Sequence, residues 1–266
     1  MNSNSSDRRV FSNDIEDADI DLPFGRVSVR LRCSPHHRHS EDAIAVLPVA
    51  DHGVVLAVAD GVGGSPGGRD AALIVLESLR VAVAMKADSD LQQAIFAAIE
   101  AANLRLIEQG IGAGTTIVVA EIIDGRLRSY HVGDSEIAVV GQRGKVKRRV
   151  TPHSPTGFAI ETGLITEDEA MHHEYRHILL NVIGAPSMRV EAADPIELAR
   201  RDTVLLASDG LLDNLYMSEI LEEARCGALP ASADNLVKLA SDRMSSMDGA
   251  APSKPDDLSL ILYRGK

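Results

Sequence analysis

Val54-Val55-Leu56-Ala57-Val58-Ala59-Asp60-Gly61-Val62-Gly63-Gly64 carries an apolar run straight into a carboxylate and then into glycine. An unbroken apolar run bounded by glycine predicts a strand buried on both faces, because a half-exposed strand would alternate apolar with polar residues. The ending recurs. Ser129–Ile137 (SYHVGDSEI) places Asp134 after Gly133, and Thr203–Asn214 (TVLLASDGLLDN) places Asp209 before Gly210. Pro255–Leu262 (PDDLSLIL) begins an apolar strand just after Asp256 and Asp257. Asp60, Asp134, Asp209 and Asp256 are therefore expected at strand ends in one core. Carboxylates gathered there need cations, and with no cysteine among them the donors are all oxygen, the preference of Mg²⁺ and Mn²⁺. Each Asp-Gly alone is an ordinary turn signal.

Composition narrows the alternatives. The chain has 266 residues, 45% of them hydrophobic, which is ample for a sizeable core. With no Trp, four Phe and four Tyr, that core must be aliphatic. A formal net charge of −12 argues against a nucleic-acid surface, which needs concentrated Lys and Arg. The basic stretch Arg143–Arg149 (RGKVKRR) alternates as an exposed hairpin strand would. Cys33 and Cys226 stand far apart, so a reducing compartment is expected, not a disulfide framework. No leader pattern and no membrane-length run occurs, and the expectation is a cytoplasmic monomer without a membrane partner.

Residues 1–22 are rich in Ser, Asn and Asp and are expected to be a disordered tail ahead of one domain spanning 23–266. Strands are predicted over Val27–Cys33, Ala43–Pro48 and Val54–Ala59, the last two joined at Asp51-His52-Gly53. A helix over Arg69–Lys86 follows, with Ser65-Pro66 as its start signal. A second helix carries Leu91, Ile95, Ile99, Ala102 and Leu106 on one face and stops at Gly110. Thr115–Ile123, Leu127–Val132, Ile137–Val140 and Lys145–Val150 read as four strands in meander order. Pro152–Pro186 reads as short helices in an insertion. A strand at Thr203–Ala207, helices near Met217–Arg225 and Ala233–Ser245 and a strand at Leu258–Tyr263 complete the chain. Strand clusters interrupted by helix pairs predict an α+β fold, two sheets flanked by helices.

The motif series HSEDAIAV, ADGVGG, GAGTTIVVA, HVGDS, TPHS, LLASDGLLD and PDDLSLIL resembles the metal-dependent type 2C protein Ser/Thr phosphatases of bacterial type, over about residues 26–264. The resemblance implies a four-layer α-β-β-α sandwich of mainly antiparallel sheets with two metal ions, and a looser third, at one end. Asp60 corresponds to the bridging carboxylate, and Gly61 offers its carbonyl to the second ion. Asp209 and Asp256 correspond to carboxylates on the first. These three aspartates are the expected catalytic set. Glu41 and Asp42 match the pair that holds metal-bound water or a metal directly, and Asp134 matches the third-ion position. Gly114-Thr115-Thr116 matches a structural motif, and residues 153–185 match a flap beside the site. The implied reaction is hydrolysis of phosphoserine or phosphothreonine in a phosphoprotein, a kinase or other signalling protein, by a hydroxide bridging Mn²⁺ or Mg²⁺ ions about 3.5 to 4 Å apart.

The sequence departs from the pattern at several positions. His37 stands where a phosphate-binding Arg is usual, with Arg38 one step later, where strand alternation would turn it away unless the loop bulges. Val62 replaces a His common in eukaryotic members, Glu136 stands where Arg often follows Gly-Asp-Ser, and Asn181 replaces a flap Arg. His37 and Glu136 motivate the competing reading, a pseudophosphatase that binds a phosphoprotein without turnover. A Ca²⁺-stabilised structural domain is a third. His36, His37 and His39 have an irregular spacing better suited to a solvated turn than to a transition metal. His131 and Ser135 lack a nucleophile elbow, and Gly61–Gly68 lacks a phosphate-loop ending.

Overall fold

The computed structural model describes residues 8–63, 67–85, 91–246 and 252–266. In the amino-terminal part, β1 (Arg9–Phe11), β2 (Ile15–Leu22), β3 (Gly25–Arg32), β4 (Asp42–Val49) and β5 (Gly53–Asp60) precede helices α1 (Gly68–Met85) and α2 (Leu91–Gln109). Then come β6 (Ile117–Ile123), β7 (Arg126–Val132), β8 (Glu136–Val140) and β9 (Val146–Arg149). Short helices α3 (Pro155–Glu161) and α4 (Glu167–Met171) and the two-residue strands β10 (Glu191–Ala192) and β11 (Ile196–Glu197) follow. The chain closes with β12 (Thr203–Ala207), α5 (Asp209–Leu212), α6 (Met217–Ala224), α7 (Leu229–Met244) and β13 (Leu258–Gly265).

The strands form two sheets, ordered β1-β4-β5-β6-β7-β10 with β11 also on β7, and β2-β3-β13-β12-β8-β9. All their pairings are antiparallel. Each central strand is buried on both faces, which explains its unbroken apolar run. In β5, Val54, Leu56 and Val58 enter the layer between the sheets, while Val55, Ala57 and Ala59 face α1 and α2. In β12, Val204 and Leu206 share that middle layer, and Leu205 and Ala207 pack with α6 and α7. Three apolar layers between four structural ones make the α-β-β-α sandwich expected from the motif series.

Two expectations are corrected. Residues 9–22 are not a tail: β1 pairs with β4, and β2 pairs along the whole of β3. The acidic run is ordered because β2 is an edge strand whose carboxylates bind a neighbouring strand's arginines, Asp17 taking Arg32 at 2.6 Å and Asp19 taking Arg30 at 3.2 Å. Residues 1–7 and the Ser65-Pro66 start signal lie outside the described residues. The four-strand meander is also broken. β6 and β7 belong to one sheet and β8 and β9 to the other, so the chain changes sheets at Gly133-Asp134-Ser135. That crossing carries Asp134 to the end of the sandwich.

Candidate active site

Antiparallel pairing fixes where the acids emerge. Asp60 ends β5 opposite Asp42 at the start of β4. Ala207 of β12 pairs with Leu260 of β13, so Asp209, just past β12, and Asp256, just ahead of β13, leave their sheet at the same edge. The two sheets meet at a cleft of about 340 Å³ lined by Glu41, Asp60, Gly61, Asp134, Asp209 and Asp256, together with His37, Thr116, His177 and Lys254. Residues from widely separated segments thus share one concavity.

Two glycines allow the close approach. A Cβ at Gly61 would sit 2.4 Å from the Gly68 carbonyl carbon and 2.9 Å from Glu41 O. One at Gly210 would sit 1.9 Å from Asp257 O. The residue after each acid is glycine because another backbone passes there. Thr115 and Thr116 brace the first acid: Thr115 Oγ1 and Thr116 N–H both donate to Asp60 O at 2.8 Å, and Thr116 Oγ1 lies 2.7 Å from Ser135 Oγ. This is the structural role expected of Gly114-Thr115-Thr116.

The electrostatics are those of crowded carboxylates without enough countercharge. Burial, then the charges of Asp42, Asp209, Asp134 and Asp256, raise the pKa of Asp60 well above the ordinary range. Burial and Asp209 push Asp134 up to about 8. Glu41 is raised by burial, against the opposing pull of His37. Asp42 is buried behind the cleft, where it accepts from Ser208 Oγ at 2.7 Å, and its Oδ1 is buried without a hydrogen-bond partner. An orphaned carboxylate oxygen beside an all-oxygen donor set fits hard divalent cations.

The basic groups are placed differently from expectation. His37 lines the cleft, and its Nδ1 lies 2.9 Å from Asp257 Oδ2. Burial works against its charge, but Asp257, Asp256 and Glu41 outweigh that and raise its pKa. Arg38 is exposed and outside the cleft lining, so the phosphate-binding assignment to Arg38 is corrected. The cause is Asp257. It accepts Ser34 N–H at 2.7 Å and Glu41 N–H at 2.8 Å besides binding His37, and so fixes the loop with His37 inward.

Lys254 escaped the sequence reading. Its Nζ bonds Asp209 and lies 2.9 Å from Asp256 Oδ2 and 3.1 Å from Asp213 Oδ2. Burial opposes its charge, but Asp209, Asp213 and Asp256 hold it protonated. Nothing in Ser253-Lys254-Pro255 signalled this, whereas the i,i+4 spacing of Asp209 and Asp213 could have put both on one helix face. Glu136, read as a departure, is buried and forms a paired contact with Arg149, Nε–Oε2 at 2.6 Å and Nη2–Oε1 at 3.2 Å. Arg149 also binds Glu167 of the flap. The charge at this position is reversed, and Glu136 is tied to the flap through Arg149.

The flap reaches the cleft through His177 and Leu179. Asn181 closes its return segment: Nδ2 donates to Arg189 O at 2.7 Å, Oδ1 accepts from Arg189 N–H at 3.1 Å, and Nδ2 lies 3.0 Å from His153 Nδ1. His131, His153 and Glu191 bring potential ligand atoms within 4.8 Å of one another, away from the cleft. Three of the four imidazole nitrogens are engaged. His131 Nε2 meets Thr151 O at 3.0 Å, and the rings stack at 4.2 Å. His153 Nδ1 accepts from Gly133 N–H at 3.1 Å, which leaves Nε2–H for Glu191 at 3.2 Å.

A helix-sheet-sheet-helix sandwich with an oxygen-lined cleft at its strand ends defines a metal-dependent hydrolase. Residues 35–245 match the family described as Protein phosphatase 2C, and the chain belongs to it. It is 28% identical over 200 residues to the serine/threonine phosphatase stp of Listeria monocytogenes, covering 70% of this chain and 79% of that one. It is 29% identical over 193 residues to the serine/threonine protein phosphatase PstP of Mycobacterium tuberculosis, covering 70% of this chain and 37% of that protein. Among solved structures, Stp1 of Staphylococcus aureus has the same fold with a TM-score of 0.77, at 24% identity, over 90% of this chain and 94% of that one. The PstP catalytic domain, solved in complex with two manganese ions, gives a TM-score of 0.74 at 23% identity over 91% of this chain and 98% of that one.

Proposed function

We propose that the chain is a protein serine/threonine phosphatase that hydrolyses phosphoserine and phosphothreonine with the help of two Mn²⁺ or Mg²⁺ ions. One observation carries the reading: Asp60, Asp134, Asp209, Asp256 and Glu41 line a single cleft with no sulfur ligand in it. The family membership and the phosphatase names of its relatives support the same activity. When bound, the paired ions supply positive charge to the phosphoryl group and acidify a water for in-line attack.

The chain's own residues set up that chemistry. Asp60, with Gly61 O beside it, would hold both ions, and Asp209 and Asp256 would hold one of them from the facing sheet. Asp134 would take a looser third. Glu41 and the free oxygen of Asp42 would orient the water shell. His37, its pKa raised by Asp257 against the effect of burial, faces the cleft where a phosphate would enter. It replaces an arginine as the clamp. No residue at position 62 can donate a proton, since Val62 lines the cleft there.

The substrate we assign is a phosphorylated kinase or another signalling protein, contacted by the flap through His177, with the enzyme acting as a monomer in the cytoplasm. Two unpaired cysteines are in keeping with a reducing compartment. Among the described residues no helix is long and apolar enough to cross a membrane. The test is phosphate release from a phosphothreonine peptide. It should require Mn²⁺, stop with chelator and be lost in Asp60→Asn. Tight peptide binding without phosphate release would establish the pseudophosphatase instead.

A further inference from the structure

A cleft larger than the acidic one lies elsewhere in the described residues. A concavity of about 880 Å³ opens at the other end of β13, where Arg264 and Lys266 meet Arg26, Arg200, Arg201 and Arg225. β13 runs from Leu258 beside the carboxylates to Gly265 beside this cleft. At about 3.3 Å per residue, that separates the two sites by roughly 25 Å.

In a chain of net charge −12, a cluster of six basic side chains would be expected to find carboxylates. Two acids line the cleft and both are engaged: Asp21 lies 2.9 Å from Arg26 and 3.6 Å from Lys266, and Asp19 lies 3.2 Å from Arg30. Arg225 pairs with Glu222. Among the described residues, Arg200, Arg201 and Arg264 pair with no carboxylate. Arg264 donates only to neutral oxygens, Thr203 Oγ1 at 2.9 and 3.1 Å, Ala224 O at 3.0 Å and Gly227 O at 2.6 Å. Those bonds fix its plane but leave its charge uncompensated. Burial also lowers its pKa, which an anion nearby would reverse. Arg201 bonds the neutral Gln142 Oε1 at 3.0 Å, and Arg200 is exposed beside it. Ile20, Ala228 and Pro230 add an apolar wall.

We propose that this cleft binds a small molecule carrying two or more phosphate groups, held by Arg200, Arg201 and Arg264. Guanidiniums match phosphate oxygens in fork geometry, and several of them around a concave, partly apolar pocket select a compact polyanion. The source is either free pyrophosphate or a nucleoside diphosphate whose organic part meets the apolar wall. The site is independent of the hydrolytic cleft.

The test is calorimetric titration of the chelator-treated full chain at low ionic strength with pyrophosphate and, separately, with ADP. At least one should bind saturably and weaken with salt. Tighter binding of ADP identifies a nucleotide source, and tighter binding of pyrophosphate identifies the inorganic one. The surface double variant Arg200→Ala with Arg201→Ala should bind at least about tenfold more weakly, the loss expected when charge-assisted bonds are removed. Its Mn²⁺-dependent peptide hydrolysis should be unchanged, and Asp209→Asn should leave the titration unchanged. Failure of both probes to saturate, equal affinity in the double variant, or loss of binding in Asp209→Asn would each overturn the proposal.

Discussion

Asp134 and His131 stand on either side of Gly133, and each belongs to a dense group of titratable side chains, yet the two groups resolve their burial in opposite ways. The carboxylates of the cleft stay short of countercharge. Asp60 and Asp134 are pushed toward protonation, Asp42 keeps an orphaned oxygen, and Lys254 is drawn in among three acids. The imidazoles of His131 and His153 are largely engaged already. They are held neutral by burial and tied to Thr151, Gly133 and Glu191, with pKa values pushed down, that of His131 to about 4. Ligand-type residues in proximity do not by themselves make a binding site. What distinguishes one is whether their bonding capacity is already used.

The widest separation between the two regions should appear in catalysis. Asp209→Ala should cut Mn²⁺-dependent peptide hydrolysis by at least about 10³-fold, the scale of several kcal/mol of charge stabilisation. His131→Gln should leave the number of Mn²⁺ ions bound, counted by calorimetry, as it is. A lost ion in His131→Gln would make the stack a ligand set and erase the contrast.

Acidity should separate them next, because the signs differ. A histidine with a folded pKa near 4, against an ordinary 6.5, binds fewer protons folded than unfolded. Its stabilising effect is whole above pH 6.5 and is lost as pH falls toward 4, up to ~3 kcal/mol. Asp134, raised to about 8 from 3.8, runs the other way in metal-free protein: its effect is whole at low pH and lost as pH rises toward 8. Urea midpoints across that range in chelator should flatten on the acid side in His131→Gln and on the alkaline side in Asp134→Asn. Identical profiles for the two variants would refute the assignment.

How much of this was legible depended on which physical rule placed each residue. The runs ending at Asp60 and Asp209 were readable because burial on both faces leaves no alternative to an apolar strand, and glycine marks a backbone approach. β2 was not, since an edge strand needs no apolar face when its acids meet arginines across the ladder. The sheet change at Gly133 was invisible because hairpin spacing is the same whether or not the chain crosses layers. Asp257 was seen as half of a pair, but its task in fixing His37 depends on a loop more than 200 residues away in sequence, beyond any local signal. Lys254 was hidden for the same reason.

Lys254 allows a finer test of the acidic side of the comparison. Its ammonium holds the oxygens that a cation near Asp209 would need. Lys254→Met should therefore destabilise the metal-free protein and tighten Mn²⁺ binding by about tenfold, since binding no longer has to displace a charge. Calorimetric Mn²⁺ titrations of the two proteins check this. Weaker binding in the variant would mean that Lys254 orders the carboxylates for the ion instead of competing with it.

The smallest effect is expected where the flap meets the cleft. His177 lines it with Leu179, and its ring accepts from Arg176 Nε at 3.5 Å and bonds no carboxylate among the described residues. A residue that touches a peptide substrate and not the reacting phosphate contributes to binding before the transition state and equally within it. His177→Ala should therefore raise KM for a phosphothreonine peptide by about threefold to tenfold with kcat unchanged, the scale of one lost neutral contact. Hydrolysis of para-nitrophenyl phosphate, which has no peptide to reach the flap, should be unaltered. If kcat fell equally for both substrates, His177 would belong with the carboxylates in the chemistry, and the boundary of the reactive region would have to be drawn to include the flap.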